Sequence, residues 1–304
     1  MELLDGYIIN PFDFRSGSLY VSPFETNDAF INRQIWLESK LTAEPIIEFE
    51  GKKMSVTQSA TKALELILKK LNLKSDDEIW IVTTSGNKYI SGCVTKTIEM
   101  FCKWNRQKTD RTAAILVNHE FGFLYTEIDK LKEFELPIIE DKAYSLYSNF
   151  IEKEKNFVGD YTFFSMAKMF PMQAGGMIYS KTGMIFQEDL SADASKYYKS
   201  CFYHYNTNKE EIINKRKLIS MLLQMELIGL GYMPRFISRP SEVPGACVFR
   251  ASNIDLQGLK IFMQRQGVEC SVFYGEDSFY IPCHQKMDEK HINYITTLIK
   301  NFLK

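Results

Sequence analysis

One aspartate and one lysine near the middle of the chain have types and positions that could do chemistry. Asp141 follows the apolar run Leu136 to Ile139, which is typical of a buried strand that ends at a carboxylate. Lys168 follows a second predicted strand, Tyr161 to Phe164, and stands among phenylalanine and methionine side chains. Because desolvation lowers the pKa of a lysine amine, this setting favours the unprotonated, nucleophilic form.

Pyridoxal phosphate needs this pair of anchors, since a lysine forms its Schiff base and an aspartate keeps its ring nitrogen protonated. The same two residues also fit a helix cap and a surface lysine, so the residues alone leave both interpretations open. A possible phosphate site lies in the segment from Val56, where Thr57, Ser59 and Thr61 precede apolar residues at helical spacing. The N-terminus of a helix binds phosphate through unpaired N–H groups, although hydroxyl side chains there are also ordinary caps.

The order of these features resembles the core of the DegT-type sugar aminotransferases (DegT/DnrJ/StrS). The matching segments are IIEDKA at 138–143, VGDYTFFS at 158–165, Lys168, GGMIYS at 175–180 and the tail from Tyr280. Together with the segment from Val56, which is similar to the phosphate loop of the family, the resemblance covers most of the chain from about Ile46 onward. It implies a pyridoxal 5'-phosphate enzyme of fold type I, the aspartate aminotransferase fold, that transfers an amino group from an amino acid to a nucleotide-linked keto sugar.

The resemblance also implies roles for individual residues. Lys168 would be the catalytic Schiff-base lysine, and the shared active sites of a homodimer would take one asparagine from the partner subunit. The expected cofactor-binding residues are Asp141 at the ring nitrogen, Ala60, Thr61 and Ser165 at the phosphate, Tyr89 stacked on the ring, and Asn206 from the partner. His119 could face the substrate, although a single histidine at a strand end is more often structural.

Three departures from the family pattern keep other functions open. Ala60 replaces a glycine of the phosphate loop, Ser165 lies three positions before Lys168 instead of five, and Lys142 and Tyr144 follow the aspartate in place of a small and a polar residue. The alternatives are a non-catalytic relative that binds a ligand or partner, and a different pyridoxal phosphate reaction such as sugar dehydration. The family's dehydratases carry histidine at the lysine position, so Lys168 argues against dehydration. An NAD-dependent sugar enzyme is disfavoured because no Gly-x-Gly-x-x-Gly follows a predicted strand.

Composition excludes several classes of protein. The chain has 304 residues with 37 basic and 38 acidic side chains, and this net charge of -1 indicates neither a nucleic-acid nor a membrane surface. Six scattered cysteines show no metal-type spacing, and no long apolar run or signal sequence is evident, so we expect a cytoplasmic protein.

Strands alternate with helices as far as residue 180, which predicts an α/β fold. The predicted large domain, residues 1–194, has three α/β/α layers around a mostly parallel sheet. Residues 195–304 would form a small C-terminal α+β domain that ends in a helix from Glu289 to Leu303. Ligands of such sheets bind beyond the carboxyl ends of the strands, where Asp141 and Ser165 are expected.

Overall fold

The computed structural model describes residues 3–4, 7–8, 18–42, 45–49, 51–150, 157–187 and 190–303. The sequence predicts no role for the N-terminal arm, residues 1–45, of which residues 1–2, 5–6, 9–17 and 43–44 lie outside the described residues. The first elements are the antiparallel pair β1 (Leu3–Leu4) and β2 (Tyr7–Ile8), the helix α1 (Asp28–Ser39), and the antiparallel pair β3 (Glu48–Phe49) and β4 (Lys52–Lys53).

A seven-stranded sheet follows. Its strands are β5 (Ser55–Thr57), β6 (Glu78–Thr83), β7 (Lys103–Asn105), β8 (Thr112–Asn118), β9 (Ile138–Asp141), β10 (Tyr161–Ser165) and β11 (Gly176–Ser180). The strand order is β5-β11-β10-β9-β8-β6-β7. Strand β11 runs antiparallel to both of its neighbours, whereas the other strands of the sheet run parallel to one another.

Side chains alternate between the two faces of the sheet, and both faces are covered. On one face, Ala114 and Leu116 of β8 belong to a buried cluster with the helices α2 (Ala60–Leu71) and α3 (Gly92–Glu99). On the other face, Ile115 and Val117 pack with residues of the 3-10 segment Ile128–Phe134. The three-layer α/β prediction is therefore confirmed.

The C-terminal part contains a three-stranded antiparallel sheet of order β12-β14-β13, packed against helices. The short helix α4 (Met166–Met169) and the helices α5 (Ala192–Asn206) and α6 (Lys209–Gly229) precede this sheet. The remaining elements are β12 (Ala246–Arg250), α7 (Leu256–Arg265), β13 (Ser271–Phe273), β14 (Ser278–Pro282) and α8 (Glu289–Phe302).

The domain boundary after residue 194 stays a prediction. Cys201 and Phe202 of α5 pack in a cluster with Val56 and Phe164 of the large sheet, while later residues of α6 pack with the C-terminal sheet. No helix in the described part of the chain is long and apolar enough to cross a membrane.

Two local features differ from what the sequence predicts. Apolar residues at helical spacing predict a helix from Ile90 to Trp104, but α3 ends at Glu99, and Trp104 lies in β7, which pairs in parallel with β6 at the sheet edge. Strand β14, for which no strand was predicted, follows a turn after Phe273 and lies at the centre of the small sheet.

Candidate active site

The carboxyl ends of β8, β9 and β10 meet at one edge of the large sheet and bring Asn118, Asp141 and Ser165 together. They line a cavity of about 370 Å³. Lys168 and the start of α2 line the same cavity, which is where ligands bind in open α/β sheets. Other lining residues include Ser59, Ala60, Thr61, Tyr89, Ser91, Cys93, His119, Glu120, Phe121, Tyr144, Gln173, Gly175, Phe273 and Tyr280.

Asp141 is a buried carboxylate that two N–H groups hold in place. The side-chain amide of Asn118 donates to its Oδ2 at 2.8 Å, and the backbone N–H of Ala143 donates to its Oδ1 at 3.0 Å. Burial raises the pKa of Asp141, whereas the Ala143 N–H, the Lys168 charge and the Asn118 amide act in the opposite direction. A cationic N–H group facing Asp141 would therefore satisfy a carboxylate that the protein has only partly compensated.

Glu140, on the preceding position of β9, fixes the strand from beneath. Its Oε1 accepts hydrogen bonds from the backbone N–H groups of Val158 and Gly159 at 2.7 Å each, and its Oε2 lies 3.0 Å from His119 Nε2. His119 Nδ1 accepts from the backbone N–H of Tyr125, so the proton of the neutral ring is on Nε2 and points to Glu140. Burial lowers the pKa of His119, which agrees with a neutral ring. His119 lines the cavity, but both of its ring nitrogens are paired within the protein, which favours a structural role.

Replacing Glu140 with glutamine tests this support. We expect Glu140→Gln to lower the free energy of unfolding by about 3 kcal/mol, because an amide accepts on one side only, so either His119 Nε2 or the N–H groups of Val158 and Gly159 would face another N–H group. The measurement is urea unfolding of both proteins. Glu127→Gln is the matched control, since that carboxylate is 56% exposed beside Lys130 and its loss should cost less than about 1 kcal/mol. Equal losses in the two variants would contradict the structural role.

Lys168 lies in the one-turn helix α4, and its main-chain carbonyl is held by a side chain of the C-terminal part. The fully buried guanidinium of Arg216 donates from Nη2 to the carbonyl oxygens of Lys168 at 2.8 Å and Met169 at 3.4 Å. Gln285 also donates to the Met169 carbonyl at 2.8 Å and accepts from Arg216 Nε at 2.9 Å. Because α4 is too short to satisfy its own carbonyls, these bonds from the C-terminal part fix the position of Lys168.

The amine of Lys168 points at an aromatic ring, and its Nζ is 3.6 Å from the ring centroid of Tyr144. Burial lowers the pKa of Lys168, but Tyr144 and the Asp141 carboxylate outweigh burial, so the pKa lies above its usual range. The sequence-based expectation of a lowered pKa was therefore wrong for the protein without ligand. Hydrophobic neighbours alone had suggested desolvation, and the sequence did not show that a ring face and a carboxylate would lie beside the amine.

The start of α2 offers backbone N–H groups to the cavity. Ser59 caps the helix by accepting from Lys62 N, which leaves Ala60 and Thr61 in the first turn at the cavity wall. Strand β11 begins against this turn, and a Cβ on Gly176 would lie 2.4 Å from the main-chain carbon of Ser59. Only glycine fits at 176, so the helix start and the β10–β11 hairpin approach each other closely.

One wall of the cavity is aromatic and includes residues of both parts of the chain. Tyr89 lies beside Tyr274 and Phe273, with ring centroids 5.4 and 6.4 Å away, and the ring of Phe121 packs on Tyr144 and Tyr280. Phe121 has a φ of 53°, a left-handed conformation that costs energy for a phenylalanine and directs its ring to this wall. The cavity therefore combines a polar end at Asp141 with an aromatic end.

Of the predicted site residues, Lys168, Asp141, Ala60, Thr61, Ser165 and Tyr89 line this one cavity. Asn206 does not line it in the single chain, because it ends α5 and its Oδ1 accepts from the Tyr147 hydroxyl at 2.9 Å. The sequence interpretation missed Asn118, although it ends the strand beside Asp141 and the meeting of parallel strand ends could have identified it. It also missed Phe121 and Arg216, for which the sequence carries no signal.

Comparison with solved structures gives the fold family. No protein-family model matches the sequence, and no curated protein is significantly similar to it. A DegT DnrJ EryC1 StrS aminotransferase from Brucella abortus superposes with a TM-score of 0.64 at 12% identity, covering 92% of this chain and 91% of that one. The chain has the fold of the DegT-type aminotransferases. The resemblance inferred from the sequence is thus confirmed at the level of the fold.

Two further neighbours with this fold are described with nucleotide-linked sugars. DesI, solved in the presence of its TDP-sugar product, matches with a TM-score of 0.71 at 12% identity, covering 95% of this chain and 93% of that one. The GDP-4-keto-6-deoxy-D-mannose-3-dehydratase of E. coli, solved with bound hydrated PLP, matches with a TM-score of 0.68 at 14% identity, covering 94% and 99% of the two chains. Because an aminotransferase and a dehydratase share this fold, the fold alone does not choose between transamination and dehydration.

Proposed function

We propose that this protein is a pyridoxal phosphate-dependent aminotransferase that transfers an amino group from an amino acid to a nucleotide-linked keto sugar. The observation that carries the proposal is that Lys168, Asp141 and the start of α2 line one cavity at the carboxyl edge of the sheet. The structural neighbours, which include a putative sugar aminotransferase from Streptococcus pneumoniae and a sugar dehydratase solved with PLP, support a sugar-modifying enzyme of this cofactor class.

The residues present fit the cofactor. Asp141 is a buried carboxylate whose charge is only partly compensated, which suits a protonated pyridine nitrogen. The first turn of α2, with the Thr61 hydroxyl and Ser165 nearby, offers donors to a phosphate, and Gly176 allows this cradle to be narrow. Tyr89 supplies a ring at the cavity wall that suits stacking on the pyridine.

The bound cofactor would supply an electron sink for the carbon from which a proton is removed. Lys168 would hold the cofactor covalently through its Nζ and, when released, carry a proton between the substrate carbon and the cofactor. Asp141 would keep the ring nitrogen protonated through its carboxylate, and Arg216 would keep the Lys168 main chain at a fixed distance from the strand ends. These roles need a primary amine, which favours transamination over the dehydration associated with histidine at this position.

A homodimer with Asn206 of one subunit at the partner's cavity stays a prediction, as does a cytoplasmic location. In the single chain Asn206 lies away from the cavity wall, so its proposed role depends on a second copy.

The proposal predicts an absorbance band in the visible when pyridoxal phosphate is added to the purified protein. Borohydride reduction should then fix the cofactor on Lys168, where peptide mass spectrometry would locate it. Lys181→Ala is a matched control, because this lysine is 62% exposed beside Asp160 and its loss should leave the label on Lys168. The absence of a band would leave only a binding role for the fold, and a label on another lysine would overturn the assignment of Lys168.

The reaction itself is tested by adding an amino acid to the cofactor-loaded protein. Glutamate or another amino acid should discharge the visible band as the amino group moves to the cofactor. A nucleotide-linked keto sugar should then restore the band, and a keto sugar without nucleotide should restore it poorly. Restoration by neither would reject the proposed substrate class.

A further inference from the structure

The amine of Lys168 lies over the ring of Tyr144, with its Nζ 3.6 Å from the ring centroid. We propose that Tyr144 is a residue of the reaction itself, which holds the protonated Lys168 amine on its ring face whenever the amine is not bonded to another group. This inference rests on the proposed function, because it assigns Lys168 as the reacting amine. In the sequence, Tyr144 differs from the family pattern, which has a polar residue at this position after the aspartate.

The ring of Tyr144 is packed on two sides, which fixes its position beside the amine. A Cβ on Gly245 would lie 2.8 Å from the Cδ1 atom of Tyr144, which shows how closely the backbone of the 243–245 segment packs on the ring. Phe121 covers another side of the ring, with the centroids 5.6 Å apart. Phe121 is itself held, because its carbonyl accepts from Gly245 N at 2.7 Å.

The Tyr144 hydroxyl also acts on the Lys168 amine, and the other charged or titratable groups that act on it include Asp141 and Cys93. The Asp141 carboxylate already accepts hydrogen bonds from Asn118 and Ala143, and the Cys93 thiol lies 3.1 Å from the Ser91 hydroxyl. The Tyr144 ring face is therefore the surface on which the ammonium group rests. A ring face attracts a cation through its quadrupole and attracts a neutral amine much less.

This difference gives the contact a role in the reaction. While Lys168 is protonated, the ring holds its amine inside the cavity and beside the strand ends. When the amine loses its proton to solvent, the attraction to the ring weakens and the nucleophilic form is released towards a carbonyl in the cavity. The position of the Lys168 amine would thus depend on its protonation state, because an aromatic ring face attracts the cation and an aliphatic side chain does not.

The test measures the reactivity of Lys168 without any cofactor. Acetic anhydride modifies only unprotonated amines, so the rate of acetylation at Lys168, followed by mass spectrometry at several pH values, reports the free amine. Tyr144 is replaced by phenylalanine and by mono-, di- and trifluorophenylalanine, which keep nearly the same shape while fluorine withdraws charge from the ring face. We expect acetylation at neutral pH to rise steadily through the series, by roughly fivefold from phenylalanine to the trifluoro ring.

The acetylation of Lys181 in the same digests is the internal reference and should stay constant. Tyr144→Phe separates the hydroxyl from the ring, and thermal melting of each variant checks that it is folded. A Lys168 rate that is independent of fluorination would overturn the proposal and leave Tyr144 as a packing residue. Because no cofactor takes part, this outcome is independent of whether pyridoxal phosphate binds, so failure here and failure of the proposed function remain distinguishable.

Discussion

Lys168→Ala should have no measurable aminotransferase activity, with a loss on the order of 10⁴-fold or more, because the variant lacks the proposed nucleophile and proton carrier. The main chain at this position is held by Arg216 and Gln285 and not by the lysine side chain, so the variant should fold. The cation on the Tyr144 ring contributes only about 1 kcal/mol to stability. The measurements are steady-state turnover and thermal melting of the wild type and the variant.

Lys168→Arg is the matched variant that separates charge from chemistry. An arginine keeps a cation near Tyr144 and Asp141, but it does not lose its proton at accessible pH and cannot form the covalent bond. We therefore expect it to be as inactive as the alanine variant while melting close to the wild type. Lys181→Ala, at an exposed lysine, should keep full activity. Activity above a tenth of the wild-type value in either Lys168 variant would assign the chemistry to another group.

The elements that position Asp141 and Lys168 were predictable because they depend on local pattern. The apolar run before Glu140 forms β9, the Tyr161 segment forms β10, and the hydroxyl-rich segment after Val56 caps α2, each close to its expected bounds. Such runs and caps carry their signal within a few residues. Parallel pairing then places the strand ends at one edge, which gives the site its location.

The contacts that decide the chemistry at Lys168 could not be predicted in the same way. Arg216 reaches the Lys168 carbonyl from α6, and the Tyr144 ring lies beneath the amine because the 243–245 backbone packs behind it. Each contact joins segments far apart in sequence through side chains whose neighbours depend on the packing of the two parts of the chain. Hydrophobic neighbours along the sequence therefore indicated a lowered pKa for Lys168, whereas its neighbours in space raise it.

Asp141→Asn should separate catalysis from stability. We expect turnover to fall by about 10²- to 10³-fold, comparable to the loss of other preorganised electrostatic partners, because a neutral amide no longer keeps the pyridine nitrogen protonated. The cofactor should still bind through Lys168 and the start of α2, so the visible band should persist. Asp160→Asn is the matched control, since Asp160 bonds Ile138 N at the opposite end of β9 and should leave turnover unchanged.

Asp141→Asn should lower turnover but should not lower the stability of the protein without cofactor. Burial raises the pKa of Asp141, so folding disfavours its ionised form, and the wild type loses stability as the pH rises from the ordinary aspartate pKa through the folded one. The asparagine variant has no charge to bury, and the Asn118 amide can turn to accept from the new amide. Its melting temperature at neutral pH should therefore equal or exceed that of the wild type, with a smaller dependence on pH. A variant that melts well below the wild type at neutral pH would show that the carboxylate is a structural anchor, and unchanged turnover would show that Asp141 does not face the cofactor ring.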